Sequence, residues 1–205
     1  MQKPFSFLLI FMLAGIVFSC KDKTKNQENI NRTEVVSEDI TPKKATKKDL
    51  SSQDIAEIRS VMSRVMTDSQ LKKFASYTVT AEMTELLFSD KETFTVFAPS
   101  DSAFENISAE RKKFYAMPNN KIKLEEMLQS HILNEKLDAA ALIQKIAPTG
   151  KAKLETLAGI TLTATKIGEN LFISDGKGGE VKVIKADIVG ANGVVFIVDG
   201  VLNAN

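Results

Sequence analysis

Helices in the first half of the folded region and strands in the second predict an α+β domain, with helices packed on a mostly antiparallel sheet assembly. Three observations carry this expectation. Apolar residues recur at three- and four-residue spacing between residues 51 and 146. From Lys153 onward the period falls to two. Two runs, 93–98 (TFTVFA) and 194–198 (VVFIV), have the β-branched and aromatic content of buried strands.

Each element has its own signal. Ser51 with Asp54 forms a helix-start pair. Ile55, Ile58, Val61, Met62, Val65 and Met66 then follow as one apolar stripe. Asp68 or Ser69 can cap a second helix carrying Leu71, Phe74 and Ala75; Thr80 can cap a third with Met83, Leu86 and Leu87 inward. Each is marginal alone and needs something to pack on. The strand at 93–98 supplies it, Pro99 stops that strand, and Ser100 or Asp101 opens a short helix through Phe104. Ser108 starts another helical piece, which ends before Pro118. Asn119 or Asn120 opens a longer one whose inner face is Leu124, Met127, Leu128 and His131. Asp138 caps AAALIQKI, which stops ahead of Pro148. In the second half, Ile160, Leu162 and Ala164 alternate with threonines, and residues 170–174 and 180–184 make two more strands. The loop DGKGG between them reads as a hairpin connection, and Asn192-Gly193 as the tight turn launching the last strand.

The amino-terminal end has a different organisation. Lys3 precedes the apolar run 5–19 (FSFLLIFMLAGIVFS), and the text turns polar directly after Cys20, the sole cysteine. This is a secretory signal layout, too short for a transmembrane helix of about 20 apolar residues. Val17-Phe18-Ser19-Cys20 resembles a bacterial lipobox, with Val17 where leucine is more usual. The resemblance implies a signal peptide at 1–19, cleavage before Cys20 and acylation of that residue. The expected location is then the bacterial cell envelope, as a lipoprotein of the outer membrane facing periplasm or exterior. Residues 20–50 lack apolar periodicity and read as lipidated cysteine plus flexible tether. Residues 51–205 are long enough for one domain with a sizeable core.

Charge is almost balanced, 27 Lys and Arg against 26 Asp and Glu, so no basic field points to nucleic acid. Tryptophan is absent and most aromatics are Phe, which argues against a carbohydrate site built on stacked rings.

Two longer motifs carry a resemblance. Thr95-Val96-Phe97-Ala98-Pro99-Ser100-Asp101-Ser102-Ala103-Phe104 resembles the first signature of the fasciclin domain, and residues 192–202 (NGVVFIVDGVL) resemble its second. Leu128-Gln129-Ser130-His131-Ile132-Leu133 resembles the stretch between them. The implied fold is a fasciclin-like wedge of two β-sheets with several helices packed along one side. Physics gives the signature residues Thr95, Phe97, Pro99, Asp101, Phe104, Asn192 and Gly193 structural work. Pro99 stops a strand, Asp101 can accept from a helix start, Phe104 turns to the core, and Asn192-Gly193 sets the last strand's register. Ser130 stands where the family has tyrosine and Phe196 where it has histidine.

Candidate chemistry is sparse. His131 is the only histidine, and no nucleophile or orienting acid accompanies it locally. It is expected to be a satisfied structural residue, and the resemblance suggests a hydrogen bond near the helix start around Asp101. No metal and no cofactor are expected; the loop from Asp175 to Glu180 offers too few oxygens for calcium. Asp187-Ile188 matches an aspartate–isoleucine pair proposed as an integrin contact in animal relatives of the family. It is weighed against a turn aspartate beside a core isoleucine. The expected function is a non-catalytic adhesion or interaction module, its partners being membrane lipid through Cys20 and a protein or polysaccharide. The alternatives are an envelope hydrolase acting on a matrix polymer, which needs facing carboxylates, and a groove for a small apolar ligand lined by Met62, Met66, Met83 and Met127.

Overall fold

The computed structural model describes residues 50–203. The signal segment, Cys20 and all of the tether but its last residue lie outside them.

The helical layer begins at α1 (Ser52–Arg59). Ser51 Oγ accepts the Asp54 N–H at 3.1 Å, and the Asp54 carboxylate accepts the Ser51 N–H at 2.9 Å. These are the two halves of a capping box. The single stripe expected from Ile55 to Met66 does not form. The chain leaves helical geometry at Ser60, whose hydroxyl caps α2 (Val61–Thr67) by accepting the Ser63 N–H. The break rotates the second helix relative to the first. Val61, Met62 and Val65 become buried, whereas Ile55, Ile58 and Met66 stay exposed. A local serine acceptor thus overrides the spacing of apolar residues.

The next two helices start differently from the sequence expectation. α3 (Lys72–Thr80) follows Leu71, and neither Asp68 nor Ser69 caps it. Thr80 ends this helix instead of opening the next, α4 (Thr84–Phe88). The acceptor for α3 comes from far along the chain: Asp101 Oδ1 takes the Lys73 N–H at 2.7 Å. Asp101 is itself the first residue of α5 (Asp101–Asn106), which Ser100 caps through the Ala103 N–H. One turn therefore fastens two helices. α6 (Ala109–Tyr115) and α8 (Ala139–Ile146) start at Ser108 and Asp138 as expected, with α7 (Lys121–Gln129) between them.

The strands are β1 (Phe94–Pro99), β2 (Ile132–Leu133), β3 (Lys151–Glu155), β4 (Thr161–Ile167), β5 (Asn170–Ser174), β6 (Glu180–Gly190) and β7 (Gly193–Val198). Their order in space is β2-β1-β7-β6-β5-β4-β3. Neighbours are antiparallel except β1 and β7, which run parallel from Phe94 opposite Gly193 to Pro99 opposite Val198. β6 continues well past Ile184, where the sequence suggested an end. Its register against β7 shifts between Val183 and Lys185 and again before Ile188. Such bulges bend a strand. The bend lets β6 serve both sheets of the wedge.

β1 and β7 are buried at every position and divide two cores. Phe94, Val96, Ala98, Val195 and Ile197 pack with helical residues such as Val61, Phe74, Leu124 and Leu128. Phe97, Val194, Phe196 and Val198 pack with Leu142, Leu154, Leu162 and Ile173. Each large side chain so buried stabilises by about 1.5–3 kcal/mol relative to exposure.

Candidate binding site

The signature residues make one connected framework. Thr95 Oγ1 accepts the Leu137 N–H at 2.8 Å and donates to the Glu135 carbonyl at 2.6 Å, tying β1 to the loop before α8. Phe97 packs against Phe196 with ring centroids 5.4 Å apart. Pro99 closes β1 opposite Val198, and Phe104 meets the Tyr77 ring edge-on at 4.9 Å. Asn192 acts through its side chain more than through the turn backbone. Its Oδ1 accepts the Val61 N–H at 2.7 Å, and its Nδ2 donates to the carbonyls of Leu87 and Ser89 at 3.0 and 2.7 Å. A β-carbon on Gly193 would overlap the Phe94 carbonyl, so glycine permits the close approach of β1 and β7.

His131 lies just beyond α7 and is fully buried. Nδ1 is 2.9 Å from the Met127 carbonyl, and Nε2 is 2.9 Å from the Leu202 N–H. A carbonyl only accepts and an amide N–H only donates, so Nδ1 carries the proton and Nε2 the lone pair. Burial pushes its pKa down to about 4, against the opposing pull of the Met127 carbonyl and the Asp175 charge. The contact expected near Asp101 is replaced by these two, because Asp101 is engaged with α3.

Asp175 was legible only as a loop residue. It is almost fully buried. Oδ1 accepts the N–H groups of Lys177 and Gly179 at 2.8 and 2.9 Å, and Oδ2 accepts that of Asn203 at 2.9 Å. Burial raises its pKa, but the three N–H donors and the Lys177 charge outweigh it and hold the carboxyl below its ordinary value. Leu202 and Asn203 are thus fastened at successive N–H groups, one to His131 and one to Asp175.

Asp187 sits in the β6 bulge with a left-handed φ of 57°. Its exposed carboxylate accepts the Ala139 N–H at 2.8 Å, at the first residue of α8. Ile188 is half-buried and packs toward the helix-side core, opposite Val195. The pair serves local architecture on both of its side chains.

Two surface grooves stand out. One, about 460 Å³, lies between α6, α7 and the ends of the strand hairpins; Arg111, Phe114, Lys123, Glu126, Lys177 and Asn203 border it. The other, about 840 Å³, lies between α1 and α4 and holds Glu57, Glu85 and Asp90. These three carboxylates are exposed to water, not held in the buried setting that separates the two acids of a hydrolase. Of the methionines considered as groove lining, Met127 borders the first groove, Met62 and Met83 lie in the helix-side core, and Met66 is exposed. Among the described residues every buried side-chain nitrogen and oxygen has a hydrogen-bond partner. No helix among them is long and apolar enough to cross a membrane.

Comparison with known proteins agrees with this geometry. The Fasciclin domain family model matches residues 69–204. Human periostin is 29% identical over 143 residues, 70% of this chain but only 16% of periostin. Protein sll1483 of Synechocystis is 27% identical over 166 residues, 75% of this chain and 84% of that protein. The pig transforming growth factor-beta-induced protein ig-h3 is 32% identical over 110 residues, 53% of this chain and 14% of that protein. Among solved structures, a FAS1 domain pair from the insect cell adhesion molecule Fasciclin I shares the fold, with a TM-score of 0.63 at 15% identity over 69% of this chain and 50% of that one. Both long signatures, the parallel β1–β7 pair between them and the family match over the same residues make this chain a member of the fasciclin domain family.

Proposed function

We propose that this protein is a non-catalytic interaction module of the bacterial cell envelope, tethered to lipid through acylated Cys20 and binding a protein or polysaccharide. The observation that carries the non-catalytic part is the use made of the one imidazole. Both ring nitrogens of His131 are committed to backbone groups inside the core, so it has no free site to act as a base toward a substrate. Likeness to the cell adhesion molecule Fasciclin I supports an adhesive role. Acting as a tether, residues 21–50 would give the domain reach, which for a coil of n residues scales as roughly 5–6 Å × √n. Many weak contacts from one membrane would act together.

Two measurements test this reading. Cys20→Ser is expected to release the chain from the membrane fraction without changing its thermal unfolding; retention in the membrane would refute the acyl anchor. Cells displaying the wild-type chain are expected to bind a matrix-coated surface more than cells lacking it. Equal binding would refute the adhesive role.

A further inference from the structure

The groove bordered by α6 and α7 carries more positive than negative charge, although Arg111 also bonds the Tyr115 side chain and Lys177 lies near the Asp175 carboxylate. Three cations line it, Arg111, Lys123 and Lys177, with a single carboxylate, Glu126. Glu126 is already paired with Lys123 at 2.7 Å. Arg111 and Lys177 have no carboxylate within salt-bridge distance among the described residues. Phe114 lines the same groove, packed edge-on against Tyr115 at 5.6 Å and 38% exposed, with Ile160 also at the border. Two cations that share a groove with an exposed aromatic ring suit a ligand that joins an apolar ring face to an anion.

The groove is also held in shape from behind. Asp175 fixes the backbone of Lys177 and of Asn203, both of which border it. Asn203 is kept in a left-handed conformation, φ 51°, which costs strain and is tolerated best by Asn and Gly. One buried carboxylate therefore presets two border residues, and little ordering remains to be done on binding.

We propose that this groove binds uronate rings of an acidic polysaccharide. The composition argues against a platform of several stacked rings, so charge carries the recognition: the carboxylate meets Arg111 and Lys177, the apolar face of the sugar covers the single exposed ring of Phe114, and its hydroxyls meet the Asn203 side chain. A polymer fits better than a small molecule because the site is an open groove, whereas small ligands need most of their surface enclosed. A sugar acid fits better than an acidic peptide because its carboxylate is fixed directly on the ring that would cover Phe114. The inference rests on the interaction-module reading and names its partner class.

The test is calorimetric titration of the full-length chain in detergent micelles with oligogalacturonate, neutral oligogalactose and polyglutamate. Oligogalacturonate is expected to bind at least about tenfold more tightly than either control, a difference worth about 1.4 kcal/mol, and to weaken as salt rises. Arg111→Ala and Lys177→Ala are each expected to weaken it about fivefold, and Phe114→Ala about tenfold, each variant still unfolding cooperatively above the titration temperature. Lys166→Ala, at an exposed β4 residue that does not line the groove, is expected to change nothing. Equal affinity for the neutral sugar or for polyglutamate would overturn the proposal, as would indifference to Arg111 and Lys177. Should groove variants leave the adhesion of displaying cells intact, the groove assignment falls while the module reading stands. Should wild-type cells not adhere at all, yet oligogalacturonate bind as described, the module reading falls instead.

Discussion

The two ends of β7 are tied down by different chemistry. At the entrance, the Asn192 amide bridges Val61, Leu87 and Ser89. At the exit, Leu202 and Asn203 hang on an imidazole and a carboxylate. At both ends a side chain satisfies backbone groups of a distant segment, which is costly to leave undone. The amide does so at any pH. The imidazole does so only while neutral, since its protonated form would set an N–H against the Leu202 N–H. The comparison separates a fixed fastening from one that acid can open.

The contrast breaks most severely at the entrance. Asn192→Val strands three partners at once, and each orphaned buried group costs about 1–3 kcal/mol. A loss of about 4 kcal/mol is expected in denaturant titration, with a thermal midpoint at least about 8 °C lower. Unchanged unfolding would show that the amide bridge is dispensable.

Acid should act at the exit. His131 has a native pKa pushed down to about 4, against about 6.5 when unfolded. Between those values the unfolded state binds a proton that the native state refuses. Stability from the neutral imidazole is thus complete above about pH 6.5 and falls as pH drops toward 4, by about 3 kcal/mol. Below that, both states are protonated and this contribution levels off. Unfolding measured from pH 7 to 4 should show the slope, and His131→Leu should abolish it whatever its own stability. A wild-type profile flat across this range would contradict the assignment.

Smaller effects sharpen the picture. Asp175→Asn keeps an acceptor oxygen but replaces the other with a donor facing an N–H; a loss of about 1–2 kcal/mol is expected. Asp187→Ala should cost about 1 kcal/mol, from a lost cap and from alanine at a left-handed φ. Asp187→Gly should be milder. If glycine were worse than alanine, the backbone argument would fail.

Much of this framework was legible in the residues. Ser51, Ser108 and Asp138 announced their helices because a cap is a local event, complete within four residues. The run 194–198 announced a strand buried on both faces because no polar residue interrupts it. What was not legible depends on distance. Asp101 caps a helix 28 residues upstream, so the start of α3 carries no signal of its own. Ser60 breaks an apolar stripe that spacing alone joins. His131 and Asp175 meet Leu202 and Asn203 only after the chain has closed on itself, and two-residue β2 is too short to show a period. The charged groove draws on five separate segments, so no motif records it.

The parallel pairing of β1 with β7 has a consequence for the order of folding. β1 has one full-length neighbour, and that neighbour is about 100 residues later in the chain. Until β7 emerges, the buried strand β1 lacks its long partner, and neither core can close. Such long-range contacts form late and slowly. A polypeptide of this design cannot finish either core before its last strand is in place.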